Sequence, residues 1–181
     1  TGMAVICILQ NCDNNSLIRN NSALKKGIEY LKALPVPEVK SGPDSYSHPI
    51  YTRALIKAFA KLKIPELEEL ATKLVSKIVR GQNKNGGWAY GYGKGAAAHV
   101  DLSVTGWNVM ALADAKSFGL RVNGLDAAIA RSMEYVKKCQ DSLGKFAYKI
   151  GGGGKPSLTG MGVYCLQIGN HGASSEANKG L

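Results

Sequence analysis

Two glycine-rich segments of the chain carry aromatic and polar side chains that are suited to hold a ligand. The first runs from residue 81 to 98, and the second contains the four glycines 151–154. Aromatic rings offer stacking surfaces, and backbone N–H groups of glycine-rich turns near a helix start can cradle an anion. The site is therefore predicted at the mouth that these loops form. Its candidate ligand-binding residues are Trp88, Tyr90, Tyr92, Lys94, His99, Asp101, Ser103, Trp107, Tyr148 and Lys155.

The same segments also have a purely structural interpretation. Neither follows a strand and neither has the spacing of a P-loop, so both also suit flexible connections between repeats. His99 and Asp101, just before a predicted helix, are interpreted as a surface histidine and a helix cap. No catalytic residue is assigned. Neither a metal nor a cofactor is predicted, because a metal site needs ligands that converge and the chain has only three histidines, at positions 48, 99 and 171.

A four-fold internal repeat predicts how these segments are positioned. Repeats begin near Thr1, Thr52, Thr105 and Thr159, at intervals of 51, 53 and 54 residues. Each has a small residue six positions after its threonine and a large apolar one at seven, as a closely packed helix face requires. A period of this length indicates a repeat protein. A second set recurs 58 residues apart, where Gln82, Asn83, Gly86, Trp88, Ala89 and Tyr90 correspond to Gln140, Asp141, Gly144, Phe146, Ala147 and Tyr148.

The hydrophobic pattern predicts an all-α fold of repeated helical hairpins. Helices that are apolar nearly all round alternate with amphipathic ones, which predicts an inner and an outer layer. About three and a half hairpins fit into the chain. The segment 35–49, with four prolines, is expected to be a loop. Helices are predicted at residues 1–11, 21–34, 50–62, 65–81, 102–118, 124–140 and 158–169.

Amino-acid composition and net charge limit the classes of partner that the protein is expected to bind. With 45% hydrophobic residues it fits the soluble globular class, and no apolar run reaches transmembrane length. A net charge of +10 favours an anionic partner such as a diphosphate or an acidic glycan, or else simply a solvated basic surface. Nucleic acid is not expected, because no basic cluster is interleaved with aromatic residues. The four cysteines weakly favour a reducing compartment and leave the localisation open.

The two ends of the chain suggest a segment of a longer repeat protein. The first residue already lies inside a repeat, and residues 175–181 resemble residues 22–28, so another helix is expected to begin there. Residues 1–181 are therefore interpreted as a single segment of an incomplete ring. Inner helices exposed at its edges would favour self-association.

Two elements with the pattern Gln-x3-Gly-x-aromatic resemble the Gln-Trp repeat of squalene and hopene cyclases. The repeat also occurs in a looser form in protein prenyltransferase β subunits, so the chain resembles the terpenoid cyclase and prenyltransferase superfamily. This resemblance implies an α/α toroid around a central cavity. A structural role is expected for the repeat residues, in which glutamine bonds unpaired backbone groups, glycine allows the turn and the ring covers the glutamine. The two elements consist of Gln82, Gly86 and Trp88 and of Gln140, Gly144 and Phe146.

The catalytic elements of that superfamily are missing from the chain. Its cyclases protonate their substrate with an Asp-x-Asp-Asp element, whereas here Asp101 is followed by Ser103 and Val104 at the other two acidic positions. The Asp, Cys and His set of a prenyltransferase zinc site is also missing.

The leading hypothesis is a binding or scaffold module for an isoprenoid, a lipid or a peptide. The alternative is an isoprenoid cyclase or prenyltransferase with catalytic residues outside this segment. A polysaccharide-active α/α toroid, suggested by basic charge and surface aromatics, is the third hypothesis.

Overall fold

Helices make up most of the structure. The computed structural model describes residues 1–11, 20–36, 38–93 and 98–181. A pair of two-residue antiparallel strands, β1 (Trp88–Ala89) and β2 (Val100–Asp101), lies between residues 81 and 102, together with a 3-10 turn at Tyr90–Tyr92. The helices of the described residues are α1 (Gly2–Gln10), α2 (Ser22–Ala33), α3 (Gly42–Leu62), α4 (Pro65–Gly81), α5 (Leu102–Ser117), α6 (Leu125–Lys138), α7 (Pro156–Ile168) and α8 (Ser175–Lys179).

The helices form two layers. Helices α1, α3, α5 and α7 pack side by side as the inner layer, and each is covered on the outside by the helix that follows it. Inner α3 buries every residue from 51 to 58, whereas outer α4 buries residues three or four apart between Leu67 and Ile78. The predicted all-α fold with an inner and an outer layer is confirmed. Within the described ranges, no helix combines the length and the apolar character that crossing a membrane requires.

Helix α3 begins at Gly42, eight residues earlier than the sequence pattern predicts, so the expected loop over 35–49 is wrong in its second half. A capping box explains this start. The Ser41 hydroxyl accepts the backbone N–H of Asp44, and the Asp44 carboxylate accepts the backbone N–H of Ser41 at 3.0 Å. Pro49 removes one hydrogen bond inside the helix, but it is itself buried in the packed layer. The burial of this segment and its capping box together favour a helix more strongly than the prolines favour a loop.

A glutamine at the end of α4 attaches the following loop to the next outer helix. Gln82 Nε2 donates to the carbonyl oxygens of Gly86 and Ala128, both at 2.8 Å. Arg131 Nε in turn donates to Gln82 Oε1 at 2.9 Å. Gln82 thus satisfies a carbonyl of its own loop and one of α6, which fixes the loop between two hairpins.

Gln140 repeats this arrangement one hairpin later. Its Nε2 donates at 2.8 Å to the carbonyl of Gly144 and, at the same distance, to a carbonyl at the start of α8. The aromatic residue that ends each element is fully buried beneath the next inner helix. Its backbone N–H donates at 3.0 Å to a threonine hydroxyl of that helix, Trp88 to Thr105 and Phe146 to Thr159.

Candidate functional site

The loops that lead into α5 and α7 meet at one rim of the inner layer. Successive inner helices start at the same rim, because one outer helix returns the chain between them. The strand pair places Trp88 opposite Asp101. The backbone N–H of Leu102 donates to the carbonyl of Tyr148 at 2.8 Å. The described parts of both glycine-rich loops are therefore fixed beside the first turn of α5.

Three tyrosines and a histidine gather at this rim; together with Ser103 they are called the rim cluster. Tyr46 belongs to α3, Tyr90 and His99 to the loop before α5, and Tyr148 to the loop before α7. The ring centroids of Tyr90 and His99 are 5.9 Å apart and their planes differ by 7°, while His99 and Tyr148 are 5.8 Å apart. The rings of Tyr46 and Tyr90 lie 6.1 Å apart. Tyr90 is 37% exposed and His99 is exposed, so part of each side chain is accessible to solvent.

Hydrogen bonds join the hydroxyls of the rim cluster into a chain. The hydroxyl oxygens of Tyr90 and Tyr148 are 2.5 Å apart, and those of Tyr46 and Tyr90 are 3.3 Å apart. Ser103 Oγ lies 2.7 Å from the Tyr46 hydroxyl and donates to Asp101 Oδ1 at 2.8 Å. Because the hydroxyls position one another, the rings are held in place before any ligand arrives.

Asp101 lies at the buried end of this series of hydrogen-bonded hydroxyls. The residue is fully buried, and its Oδ1 also accepts the backbone N–H of Val104 at 2.8 Å, so it caps α5 as the sequence predicts. Among the described residues, Oδ2 has no hydrogen-bond partner. A buried carboxylate oriented by a helix start keeps Ser103, and through it Tyr46, in one orientation.

The tyrosines of the rim cluster remain neutral at physiological pH. Burial raises the pKa of the Tyr46 hydroxyl to about 12. The hydrogen bond that Tyr90 donates to Tyr148 raises the pKa of Tyr90, and burial raises that of Tyr148. The cluster therefore offers hydroxyl donors and acceptors beside apolar ring faces, and it does not offer a phenolate base.

Two of the predicted aromatic residues lie in structural surroundings. Trp88 is completely buried, and its Nε1 donates to the carbonyl of Ile78 at 2.8 Å. Tyr92 is 9% exposed, and its hydroxyl bonds to His48 and Asn108 inside the protein. These rings stabilise the loop from within and do not face the rim.

The remaining candidates are placed in different ways. Trp107 is half-buried on the second turn of α5, and Lys155 is exposed at the start of α7. Lys94 lies outside the described residues.

Tyr46 was missed by sequence reasoning, because its segment was expected to be a loop. The Ser41 and Asp44 capping pattern was the signal for a helix there. The structure brings together five of the predicted residues, Tyr90, His99, Asp101, Ser103 and Tyr148.

The described residues contain no group of three or more His, Cys, Asp or Glu side chains that could hold a metal ion. The described side chains at the rim supply aromatic rings, hydroxyls, one imidazole and the Asp101 carboxyl. Such a set binds neutral polar ligands by stacking and hydrogen bonding.

The fold is similar to that of solved α/α-toroid enzymes that act on glycans. One is a polysaccharide lyase, with a TM-score of 0.69 and 16% identity, and another is a glycosyl hydrolase of family 88 from Bacteroides vulgatus, with a TM-score of 0.65 and 16% identity. Each match covers 99% of this chain but only 56% and 60% of the respective structure, so the chain spans little more than half their length. No protein-family profile and no curated protein sequence matches the chain. The likeness confirms the predicted α/α toroid.

The expected relationship to terpenoid cyclases and prenyltransferases is wrong. Two solved structures that share this fold are a polysaccharide lyase and a glycosyl hydrolase. The Gln, Gly and aromatic elements attach each loop to the next hairpin, so they follow from the packing of an α/α toroid and carry no information about isoprenoid chemistry. The hypothesis of an isoprenoid, lipid or peptide module, and its cyclase or prenyltransferase alternative, are overturned with it. The third hypothesis, a polysaccharide-active toroid, agrees with these structures.

Proposed function

We propose that this chain is the segment of a polysaccharide-active α/α toroid that binds the glycan, with the rim cluster as its binding platform. One observation carries the proposal: aromatic rings from three successive parts of the chain converge on one open rim and are fixed by their own hydroxyls. Such a platform is extended along the rim, as a chain-like ligand requires.

Tyrosine suits a sugar because both have an apolar face and a polar edge. A pyranose ring can lie on an aromatic face with its C–H groups, while its hydroxyls reach the phenolic oxygens. Tyrosine also gives this contact area at a low cost in side-chain entropy. The neutral hydroxyls of Tyr46 and Tyr148 then exchange their internal hydrogen bonds for bonds to the ligand.

Two further facts support the proposal. The net charge of +10 attracts anionic polymers, among which are acidic polysaccharides. The named activities of the two similar structures both concern glycans. Neither fact singles out the residues involved, which is why the rim cluster itself must be tested.

The double variant Tyr90→Ala and Tyr148→Ala is expected to lose about tenfold or more in affinity for the polysaccharide that the wild type binds, because two stacking faces disappear. Isothermal titration calorimetry with xylan, dextran and polygalacturonate measures this. The matched control is Tyr30→Ala, since Tyr30 is 56% exposed on the outer helix α2. Equal losses in the control and the double variant, or no polysaccharide binding by the wild type, would overturn the proposal.

A further inference from the structure

Helices α1 and α7 lie at the two open edges of the inner layer. In the described part of the chain, α3 packs between α1 and α5, and α5 packs between α3 and α7. Helix α1 therefore has an inner neighbour on one side only, and the same is true of α7. Repeat proteins bury an inner helix by stacking a neighbour on each side of it, so each edge helix has one side that still requires a partner.

Burial at equivalent repeat positions identifies the uncovered side of α1. The residue six positions after each repeat threonine is completely buried in the other three inner helices, where it is Ala58, Ala111 or Cys165. In α1 this residue is Cys7, and it is exposed. Met3, four residues earlier and hence on the same helix face, is 46% exposed. Cys7 and Met3 thus mark the face of α1 that no helix of the described residues covers.

A glycine identifies the uncovered side of α7. Gly2 and Gly106 directly follow repeat threonines and face the next inner helix. A Cβ on Gly2 would lie 3.2 Å from Ile50 Cγ2 of α3, and a Cβ on Gly106 would lie 2.7 Å from Met161 Cγ. Gly160 follows the threonine of α7, yet no described atom beyond the backbone of its own helix lies within 4 Å of the position that its Cβ would take. The side of α7 that carries Gly160 therefore allows close approach of another helix.

The two edges match each other. Met161 on α7 packs against Gly106 on α5, and this contact joins two successive inner helices. Met3 has the repeat position of Met161, since each lies two residues after its threonine, and Gly160 has the repeat position of Gly106. Met3 of a second copy can therefore pack against Gly160 in the way that Met161 packs against Gly106.

Both edge helices are suited to a buried contact because they carry no charged residue. Among the helices of the described residues, only α1 and α7 contain no Asp, Glu, Lys or Arg, although the chain has a net charge of +10. Tyr164 on α7 is 43% exposed, whereas Met110 at the equivalent position of α5 is 7% exposed. Docking of one edge on the other would thus bury apolar surface without burying an unpaired charge.

We propose that α1 of a second copy of this chain docks on α7, with Met3 against Gly160, and that this contact forms twice, so that two copies close into one ring. The contact is heterologous, because it joins two different faces, and such contacts close into a ring when the rotation between copies allows it. The chain matches 56% and 60% of the two similar toroids, so two copies supply at least the length of one of them. The inference concerns the edges of the inner layer and does not depend on glycan binding at the rim cluster.

Gly160→Leu tests the contact. Sedimentation velocity over a wide range of concentration is expected to give the mass of two wild-type chains, falling to that of one chain on dilution. The leucine takes the place of Met3, so the variant is expected to raise the dissociation constant about tenfold or more. It is expected to fold, because the space around Gly160 is open and leucine favours a helix more than glycine does. Its thermal midpoint in dilute solution checks this.

Ala130→Leu is the matched control, because it adds an exposed leucine to the outer helix α6, away from both edges. Its dissociation constant is expected to stay within about twofold of the wild-type value.

Cys7 reports which face of α1 the second copy covers. The rate at which Cys7 reacts with a maleimide, measured on its peptide by mass spectrometry, is expected to fall about tenfold when the wild type associates and to stay high in Gly160→Leu. A wild type that remains a single chain, assemblies that grow beyond two copies, equal dissociation constants for Gly160→Leu and Ala130→Leu, or a pair of chains with fully reactive Cys7 would overturn the inference. The proposed function is tested separately through Tyr90 and Tyr148, so it stands in each of these cases.

Discussion

Gly86→Ala is expected to lower the free energy of unfolding by about 3 kcal/mol or more. Gly86 has a φ of +97°, a conformation that alanine rarely adopts, and an added Cβ would lie 2.2 Å from the carbonyl oxygen of Arg131. The loop would have to move away from α6. That movement breaks the hydrogen bonds that Gln82 makes to Gly86 and Ala128. Equilibrium unfolding in urea measures the loss.

Gly119→Ala separates the two causes of this loss. Gly119 has a φ of +78°, but no atom lies within 4 Å of the position that its Cβ would take. Its substitution therefore has only the cost of the left-handed backbone, about 1 kcal/mol. Equal losses at both positions would mean that docking of the loop on α6 contributes nothing.

Local sequence signals predicted most helices well. Helix α4 was predicted at residues 65–81 and is observed at Pro65–Gly81, because a proline in the first turn and a regular apolar spacing both mark it. Helix α3 was predicted eight residues too short. There the prolines suggested a loop, and the shorter-range capping pair of Ser41 and Asp44, supported by burial, decided the outcome.

The candidate site was predictable only in part, for a reason of geometry. Tyr90 and Tyr92 look alike in the sequence, yet the 3-10 turn sends Tyr90 to the rim and Tyr92 into the core. The ion pair of Arg53 and Asp114 was not foreseen, because the two residues are 61 positions apart and meet only when the inner helices pack. The Gln, Gly and aromatic pattern correctly predicted the α/α toroid. It did not justify the inference of a relationship to terpenoid cyclases and prenyltransferases.

Acid is expected to destabilise the protein through His48. Burial, reinforced by the charge of Lys77, lowers the pKa of His48 from 6.5 to about 4. The native state therefore binds fewer protons than the unfolded state between these two values. The stabilisation is complete above about pH 6.5 and is lost as the pH falls toward 4, by about 3 kcal/mol in total. Urea unfolding of the wild type and His48→Gln at pH 7 and pH 4.5 measures the difference.

The hydrogen bonds around His48 explain why its protonation is so unfavourable. Asn108 Nδ2 donates to the carbonyl of Val104, so Asn108 Oδ1 accepts the Tyr92 hydroxyl at 2.5 Å. Tyr92 must then accept from His48 Nδ1 at 2.9 Å, which leaves the unprotonated Nε2 buried and, within the described residues, without a partner. A proton on Nε2 would have no acceptor. Tyr92→Phe is expected to lower the free energy of unfolding at both pH values and to keep the decrease between pH 7 and pH 4.5. His48→Gln is expected to lower the free energy of unfolding at pH 7 and to abolish that decrease. An unchanged decrease in His48→Gln would assign the effect to the carboxylates instead.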